Sequence, residues 1–301
     1  MSEVIKQKKL IDPNNIDRRG KESKFRLYVS RVVSYLVLAF LTFICIFPFV
    51  MLIVNATKSH TAITQGFDLI PGTRFILNFQ NMIDHDNMPV LSALVNSLFI
   101  ATVSASLTTY FSAMTAYGIH TYAFKFKNAA FTFILFIMMI PAQVSTLGFL
   151  NLIAQMNLKD SFIPLIVPAV ASPAVFYYIK QYMQSILPHE VIESARADGA
   201  GEFRIFNTIV LPMIKPAIAV QAIFSFVFSW NNYFVPNLVI SSKEKKTIPL
   251  LIAQLRNADY ASFDMGQIYM MICIAILPIL VVYLFLSRYI ISGITAGSVK
   301  G

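Results

Sequence analysis

The sequence predicts an all-α polytopic membrane protein with six transmembrane helices and a cytoplasmic helix-turn-helix between helices four and five. Of its 301 residues, 56% are apolar and only 13% are charged, whereas an ordinary soluble domain has about 25% charged residues. Six long runs contain no charged side chain, and one polar segment separates the fourth run from the fifth. The runs do not alternate like the strands of a membrane barrel, so helices are the structure that satisfies their backbone in lipid.

Each run is long enough for one helical crossing, which takes roughly 20 apolar residues. Prolines within or beside the runs predict kinks and close helix packing. The transmembrane domain is predicted over residues 32–290, after a basic segment, 1–31, and before a C-terminal tail, 291–301. The predicted spans are residues 32–55, 91–117, 129–154, 162–183, 217–240 and 267–288.

The distribution of positive charge predicts the orientation of these spans. The N-terminal segment carries a cluster of Lys and Arg, and such flanks remain in the cytoplasm. With six spans, the C terminus returns to the same side, so both termini are predicted to be cytoplasmic. The chain has 24 basic and 15 acidic residues, but no basic stripe interleaved with aromatics, so we expect a lipid bilayer and no nucleic acid as its partner.

The residues that usually carry chemistry are sparse. The two cysteines, Cys45 and Cys273, lie inside hydrophobic runs, and the four histidines are scattered, so neither a catalytic nor a metal site is predicted. A phosphate-binding loop, GxxxxGK[ST], is missing from the sequence, which predicts that the chain does not hydrolyse ATP. None of the 15 acidic residues falls within a span, which argues against an intramembrane proton relay.

The polar segment between the fourth and fifth spans, residues 188–216, begins with a predicted helix. Pro188 is placed to start this helix, and Gly199 is placed to end it at the position past the C-cap. Glu193 and Arg196 lie three residues apart, a spacing that predicts an ion pair on the helix surface.

A second helix is predicted from about Gly201 to the first of two closing prolines, Pro212. Its spacing places Phe203, Phe206 and Val210 on one side. Such a hairpin is typical of an amphipathic element on lipid headgroups, and equally of a docking element for a cytoplasmic partner. The physical pattern alone leaves both interpretations open.

The stretch "ESARADGAGEFRIFNTIVLP" resembles the EAA motif of ABC importer permeases, which has Glu-Ala-Ala, three residues, Gly, nine residues and Ile-x-Leu-Pro. Ser194 departs from the usual alanine, a change between two small residues. Further segments, including "FSWNNYFVPNLVI" and "RYIISGITAGSVKG", are similar to the MalG-type permease of bacterial carbohydrate ABC importers. The resemblance covers the chain from about Val33 to Gly301.

This resemblance implies a permease subunit that forms half of the translocation pathway for a sugar or oligosaccharide in the bacterial cytoplasmic membrane. It implies a second, MalF-like permease, two copies of a cytoplasmic ABC ATPase that use ATP and Mg, and an extracytoplasmic solute-binding protein. No cofactor is expected on this chain. The tail is also implied to contact the ATPase pair. The implied coupling surface consists of Glu193, Ala195, Asp198, Gly199, Phe203, Leu211 and Pro212.

Polar side chains in the third and fifth spans are candidates for the substrate path. Amides suit sugar hydroxyls and aromatic faces stack on sugar rings, although amides in membranes also join helices and Trp and Tyr also favour interfaces. The candidates are Trp230, Asn231, Asn232, Tyr233, Gln143 and Ser145.

Two other classes of protein remain as alternatives. One is a secondary transporter, against which stand spans without acidic residues and without evident inverted repeats. The other is a membrane scaffold subunit that does not form a translocation path. Intramembrane amides and proline-broken spans disfavour this scaffold only mildly.

Overall fold

The computed structural model describes residues 13–84, 89–257 and 264–298, and these stretches are helices joined by short connections. Two 3₁₀ turns, Val167–Val170 and Lys243–Lys245, lie among the connections. The helices are α1 (Pro13–Ala56), α2 (His60–Thr64), α3 (Phe75–Ile83), α4 (Val90–Thr121), α5 (Lys127–Ile137), α6 (Ala142–Gln155), α7 (Ile163–Ile166), α8 (Pro173–Ile186), α9 (His189–Ala197), α10 (Glu202–Met213), α11 (Lys215–Trp230), α12 (Phe234–Val239), α13 (Ile248–Asn257) and α14 (Met265–Ser298).

Four helical segments of the described residues are long and apolar enough to cross a bilayer. They overlap the first, second, fourth and sixth predicted spans. α1 begins at Pro13, so part of the basic N-terminal segment is helical, while residues 1–12 lie outside the described part. The four segments are Leu27–Ala56, Val90–Thr121, Ile163–Ile186 and Met265–Ser287.

The third predicted span, 129–154, is not one continuous helix. It consists of α5 and α6, which are separated by residues 138–141. Pro141 has extended backbone angles, and proline both lacks an N–H donor and disfavours helical geometry in the residue before it. The two helices, of 11 and 14 residues, are each shorter than a 20-residue crossing. Within the described residues, this predicted span therefore contains no single helix long enough to cross a bilayer.

The fifth predicted span, 217–240, also differs, because α11 ends at Trp230. Asn231 is the C-cap of α11, and the Asn232 carboxamide accepts a hydrogen bond from the Val235 N–H at 3.3 Å, which helps to begin α12. At its other end α11 meets α10 at an angle of 82°. A fifth crossing is therefore reached only if this bent pair counts as one span.

Helix α4 lies at the centre of the helix packing. One side bears small residues such as Ala101 and Ala105, which are buried with Phe226 and Trp230 of α11. Small residues let membrane helices approach closely, and α4 also packs against α8. Helix α1, in contrast, is exposed along most of its described stretch from Leu27 to Val50, so its apolar surface there is available to lipid or to another subunit.

Candidate functional site

Residues 188–216 form the expected helix-turn-helix, which we call the hairpin. Its first helix, α9, follows Pro188 as N-cap and ends with Asp198 as C-cap. Gly199 has a φ of +80°, and its N–H donates to the Arg196 carbonyl at 2.9 Å. This is the left-handed turn that glycine provides after a helix. Gly201 is the N-cap of the second helix, α10.

Within α10, the five residues from Phe206 to Val210 form a π-turn. This turn lies between α-helical residues on both sides, so Pro212 falls inside the helix and does not end it. Insertions of this type occur often at functional sites. The helix ends at Met213, and the chain bends at Ile214 to enter α11.

A carboxylate, Glu202, connects the hairpin to a membrane helix. Its Oε1 accepts a hydrogen bond from Arg196 Nε at 2.6 Å, and its Oε2 accepts one from the Tyr117 hydroxyl of α4, also at 2.6 Å. The hydrogen bond from Arg196 lowers the pKa of Glu202 to about 2. Glu202 is therefore ionised at neutral pH and links α9, α10 and α4.

The predicted ion pair between Glu193 and Arg196 is wrong. Arg196 pairs with Glu202 across the turn, and its guanidinium also lies 5.3 Å from the centroid of the Tyr122 ring, a cation–π distance. Glu193 is exposed to solvent. The fold-back at the turn offers Arg196 a carboxylate that is already fixed by a second hydrogen bond, which the sequence spacing alone does not reveal.

The buried face of the hairpin packs on two membrane helices. Phe206 is 2% exposed, and its ring centroid lies 5.6 Å from those of Tyr110 and Tyr117 on α4. The hairpin residues in this hydrophobic cluster share it with residues of α4 and of α8, including Ile179 and Met183. The hairpin residues are Ile192, Ala195, Ile205, Phe206, Val210 and Ile214.

The opposite face carries most of the predicted coupling residues. Glu193, Asp198, Gly199, Phe203 and Pro212 are exposed, and Phe203 has 72% of its surface accessible. A large exposed aromatic side chain among charged groups is typical of a protein contact surface.

Three of the predicted coupling residues do not lie where the sequence pattern placed them on the hairpin. Phe203 does not share the side of Phe206 and Val210, because the buried face is centred on Ile205 and Phe206 and leaves Phe203 at its edge. Ala195 is buried in the cluster. Leu211 is half-buried.

The structure separates the substrate-path candidates of the fifth span into two groups. Trp230 is 2% exposed and stacks on Phe226 with ring centroids 5.6 Å apart, so its faces are used in helix packing. Asn232 is half-buried, and its Oδ1 accepts a hydrogen bond from the Val235 N–H in the first turn of α12. Asn231 and Tyr233 are exposed and remain available to a ligand.

The candidates of the third span lie at the start of α6. Ser145 is exposed there. Gln143 belongs to the same helix, but its side chain lies outside the described residues. The C-terminal tail is helical through Ser298 as part of α14, and its side chains and residues 299–301 also lie outside the described part.

The sequence patterns did not indicate that Tyr117 and Glu202 connect the hairpin to α4. Glu202 had a usable signal, since an acidic residue directly after a glycine N-cap suits the first turn of a helix. Tyr117 had none, because a tyrosine in an apolar run looks the same whether its hydroxyl has a partner or not.

Comparison with known proteins decides the family. The model of the family described as "Binding-protein-dependent transport system inner membrane component" matches residues 111–295. That range covers more than half of the chain and contains the entire hairpin. The chain belongs to this family. It is therefore the multi-pass membrane subunit of a binding-protein-dependent importer, and this membership does not favour the secondary transporter or scaffold alternatives.

This inner membrane component is similar along nearly its whole length to permeases of sugar importers. It is 32% identical over 279 residues to the arabinooligosaccharides transport system permease protein AraQ of Bacillus subtilis, with 91% of this chain and 97% of that protein covered. It is 29% identical over 272 residues to the lactose transport system permease protein LacG of Rhizobium radiobacter, with 89% and 96% covered. These matches confirm the resemblance to carbohydrate importers.

A solved structure supports the fold of this inner membrane component. A bacterial ABC transporter involved in the import of the acidic polysaccharide alginate matches with a TM-score of 0.73 and 20% sequence identity. The match covers 87% of this chain and 96% of the chain in that structure. At this identity the likeness concerns the arrangement of helices alone.

Proposed function

We propose that this permease forms half of the translocation pathway for a sugar or oligosaccharide, and that the hairpin couples it to ATP hydrolysis in a separate subunit. One observation carries the proposal. The hairpin has an exposed face around Phe203 and a buried face fixed to two membrane helices, α4 and α8. A force applied to the exposed face therefore reaches the membrane through packed side chains.

Three kinds of contact support transmission through this hairpin. Glu202 joins both hairpin helices to Tyr117 of α4. Phe206 fills the space between the hairpin and the aromatic side chains of α4. Helix α10 also continues directly into α11 at the bend. Packed interiors move as units and do not deform continuously, so the hairpin and the ends of α4, α8 and α11 should move together.

The sugar is proposed from the relatives, which are named for arabinooligosaccharides and lactose. Asn231 and Tyr233 are the best-placed substrate contacts because both are exposed beyond the end of α11. Trp230 supports them from the buried side and offers no stacking surface of its own. Ser145 on α6 is a further candidate.

The proposed complex contains a MalF-like second permease, two copies of a cytoplasmic ABC ATPase and an extracytoplasmic solute-binding protein. ATP and Mg are used by the ATPase, and this chain contributes neither an enzymatic site nor a bound cofactor. The Lys and Arg cluster of the N-terminal segment supports cytoplasmic termini. In that orientation the hairpin faces the ATPase.

Site-directed crosslinking tests this proposal. In a chain with Cys45 and Cys273 replaced by serine, a Phe203→Cys variant is labelled with a benzophenone maleimide, whose photoactivated ketone inserts into C–H bonds of any neighbour, and is irradiated in membranes that import substrate. We expect capture of the ATPase subunit. The matched control is Phe133→Cys on α5, which is similarly exposed at 64% but apolar in its surroundings. The proposal fails if Phe203→Cys captures no ATPase in membranes with ATP-dependent uptake.

A further inference from the structure

A second site lies at the start of the hairpin, where α9 begins. A cavity of about 530 Å³ is formed where the end of α4, the start of α5, the last turns of α8 and the start of α9 meet. Its volume is within the range of small-molecule sites, roughly 300–1,000 Å³. Its lining includes Lys127, Lys180, His120, His189 and Glu190.

The cavity has an excess of positive charge. The Lys127 ammonium donates to the His120 carbonyl oxygen at 3.1 Å, and the Lys180 ammonium lies 4.2 Å from the centroid of the Phe131 ring. Both contacts are with uncharged groups, so neither neutralises a lysine. One carboxylate in the wall, Glu190, faces two ammonium groups, and the cavity therefore attracts an anion.

The wall is also built to hold its shape. His120 is only 8% exposed, its Nε2 lies 3.2 Å from the Leu187 carbonyl oxygen, and its ring stacks on His189 with centroids 4.6 Å apart and planes 9° apart. These contacts fix the end of α4 to the start of α9. The basic groups thus line a preformed space and are not dispersed over a surface.

The surroundings place this cavity at the level of lipid headgroups. The connection between α4 and α5 exposes Tyr122, Phe124 and Phe126, and aromatic side chains concentrate at membrane interfaces. Phe126, which directly precedes Lys127 of the cavity wall, is 67% exposed. An apolar surface therefore adjoins the positive charges.

We propose that this cavity binds the phosphate group of an anionic phospholipid. The phosphate oxygens would accept hydrogen bonds from Lys127 and Lys180, while the acyl chains would lie on the exposed aromatic side chains of the α4–α5 connection. Basic pockets between membrane helices bind lipid headgroups by this combination of charge and apolar surface. Free inorganic phosphate offers the same oxygens but lacks acyl chains, so the lipid is the occupant that uses both features.

Lipid retention tests this proposal. The full-length chain, purified with its partner subunits, is titrated in detergent with phosphatidylglycerol or with phosphatidylcholine, and bound lipid is counted by native mass spectrometry. We expect preferential retention of phosphatidylglycerol. The variant Lys127→Gln/Lys180→Gln should lower its affinity about 30-fold, since each lysine near a membrane surface contributes about five-fold.

Matched variants separate charge at the cavity from charge in general. Lys159→Gln/Lys243→Gln removes two exposed lysines that do not line the cavity and should retain the lipid, and Lys127→Arg/Lys180→Arg should restore retention. Equal phosphatidylglycerol affinity in the Lys127→Gln/Lys180→Gln protein and this control overturns the proposal. So does binding of inorganic phosphate that depends on the two lysines without any preference for phosphatidylglycerol over phosphatidylcholine.

Discussion

Substitutions at Gly199 test the hairpin most directly, because the structure separates backbone strain there from steric conflict. The φ of +80° lies in the left-handed region, and a Cβ added at Gly199 would meet nothing within 4 Å. Alanine therefore costs only the backbone term, about 1–2 kcal/mol. Asparagine costs less, since it adopts this region several-fold more readily than most residues.

Proline at the same position is expected to prevent the turn. Its ring fixes φ near −65°, far from +80°, and it removes the N–H that donates to the Arg196 carbonyl. A loss of 1–2 kcal/mol changes a conformational equilibrium by roughly 5–30-fold. We therefore expect ATP-coupled uptake to decrease in the order glycine, asparagine, alanine, proline, with the proline variant close to background.

The assay uses the complete transporter in proteoliposomes, with uptake and substrate-stimulated ATPase activity measured in parallel. The amount of Gly199→Pro protein in the membrane should equal that of the natural chain, because the spans are unchanged. If Gly199→Pro retains natural uptake and stimulated ATPase, the hairpin does not couple the two activities. If Gly199→Asn is as defective as Gly199→Pro, side-chain size and not backbone conformation explains the effect.

Three further substitutions test other parts of the structure. The Glu202 carboxylate stabilises the docked hairpin fully above about pH 4.5, its ordinary pKa, and this stabilisation is lost as the pH falls toward its lowered pKa of about 2. The protease sensitivity of the hairpin should therefore rise in acid. Glu202→Gln should abolish this acid-dependent change. Gly266→Ala places a Cβ 2.5 Å from the Lys58 carbonyl oxygen and should lower the stability of the chain by about 1–3 kcal/mol. The measurement is the thermal unfolding temperature, which should fall. Gly148→Ala, which has open space around its Cβ, should leave that temperature unchanged. Asn231→Leu should raise the KM for uptake about 2–10-fold, the effect of one lost hydrogen bond, and an unchanged KM would contradict its place in the substrate path.

The long helices were predictable because their signals are local. An uninterrupted apolar run sufficed for α1 and for α14, and the glycine at 199 marked the turn of the hairpin. The breaks within the third and fifth predicted spans were not predictable. In the third, Pro141 is compatible with a kink as well as with a break. The early end of α11 depends on Asn231 as its C-cap and on the hydrogen bond that Asn232 accepts from the Val235 N–H at the start of α12.

The candidate site was predictable in position but less so in its contacts. The motif spacing located the hairpin and its exposed charges. The partner of Arg196 depends on the fold-back that brings Glu202 toward α4, and the burial of Trp230 depends on the small residues Ala101 and Ala105 of a helix more than a hundred residues earlier. Such contacts follow from tertiary structure and leave no periodic trace in the sequence.

The near right angle between α10 and α11 determines the direction of any motion that starts at the hairpin. A shift of α10 along its own axis arrives at the base of α11 as a sideways displacement. Helix α11 has 16 residues, about 24 Å at 1.5 Å per residue, and its far end is held by the buried Trp230. A 2 Å sideways shift would tilt α11 by about 5° around that fixed end. Asn231 and Tyr233, just beyond the fulcrum, would swing in the opposite direction to the base.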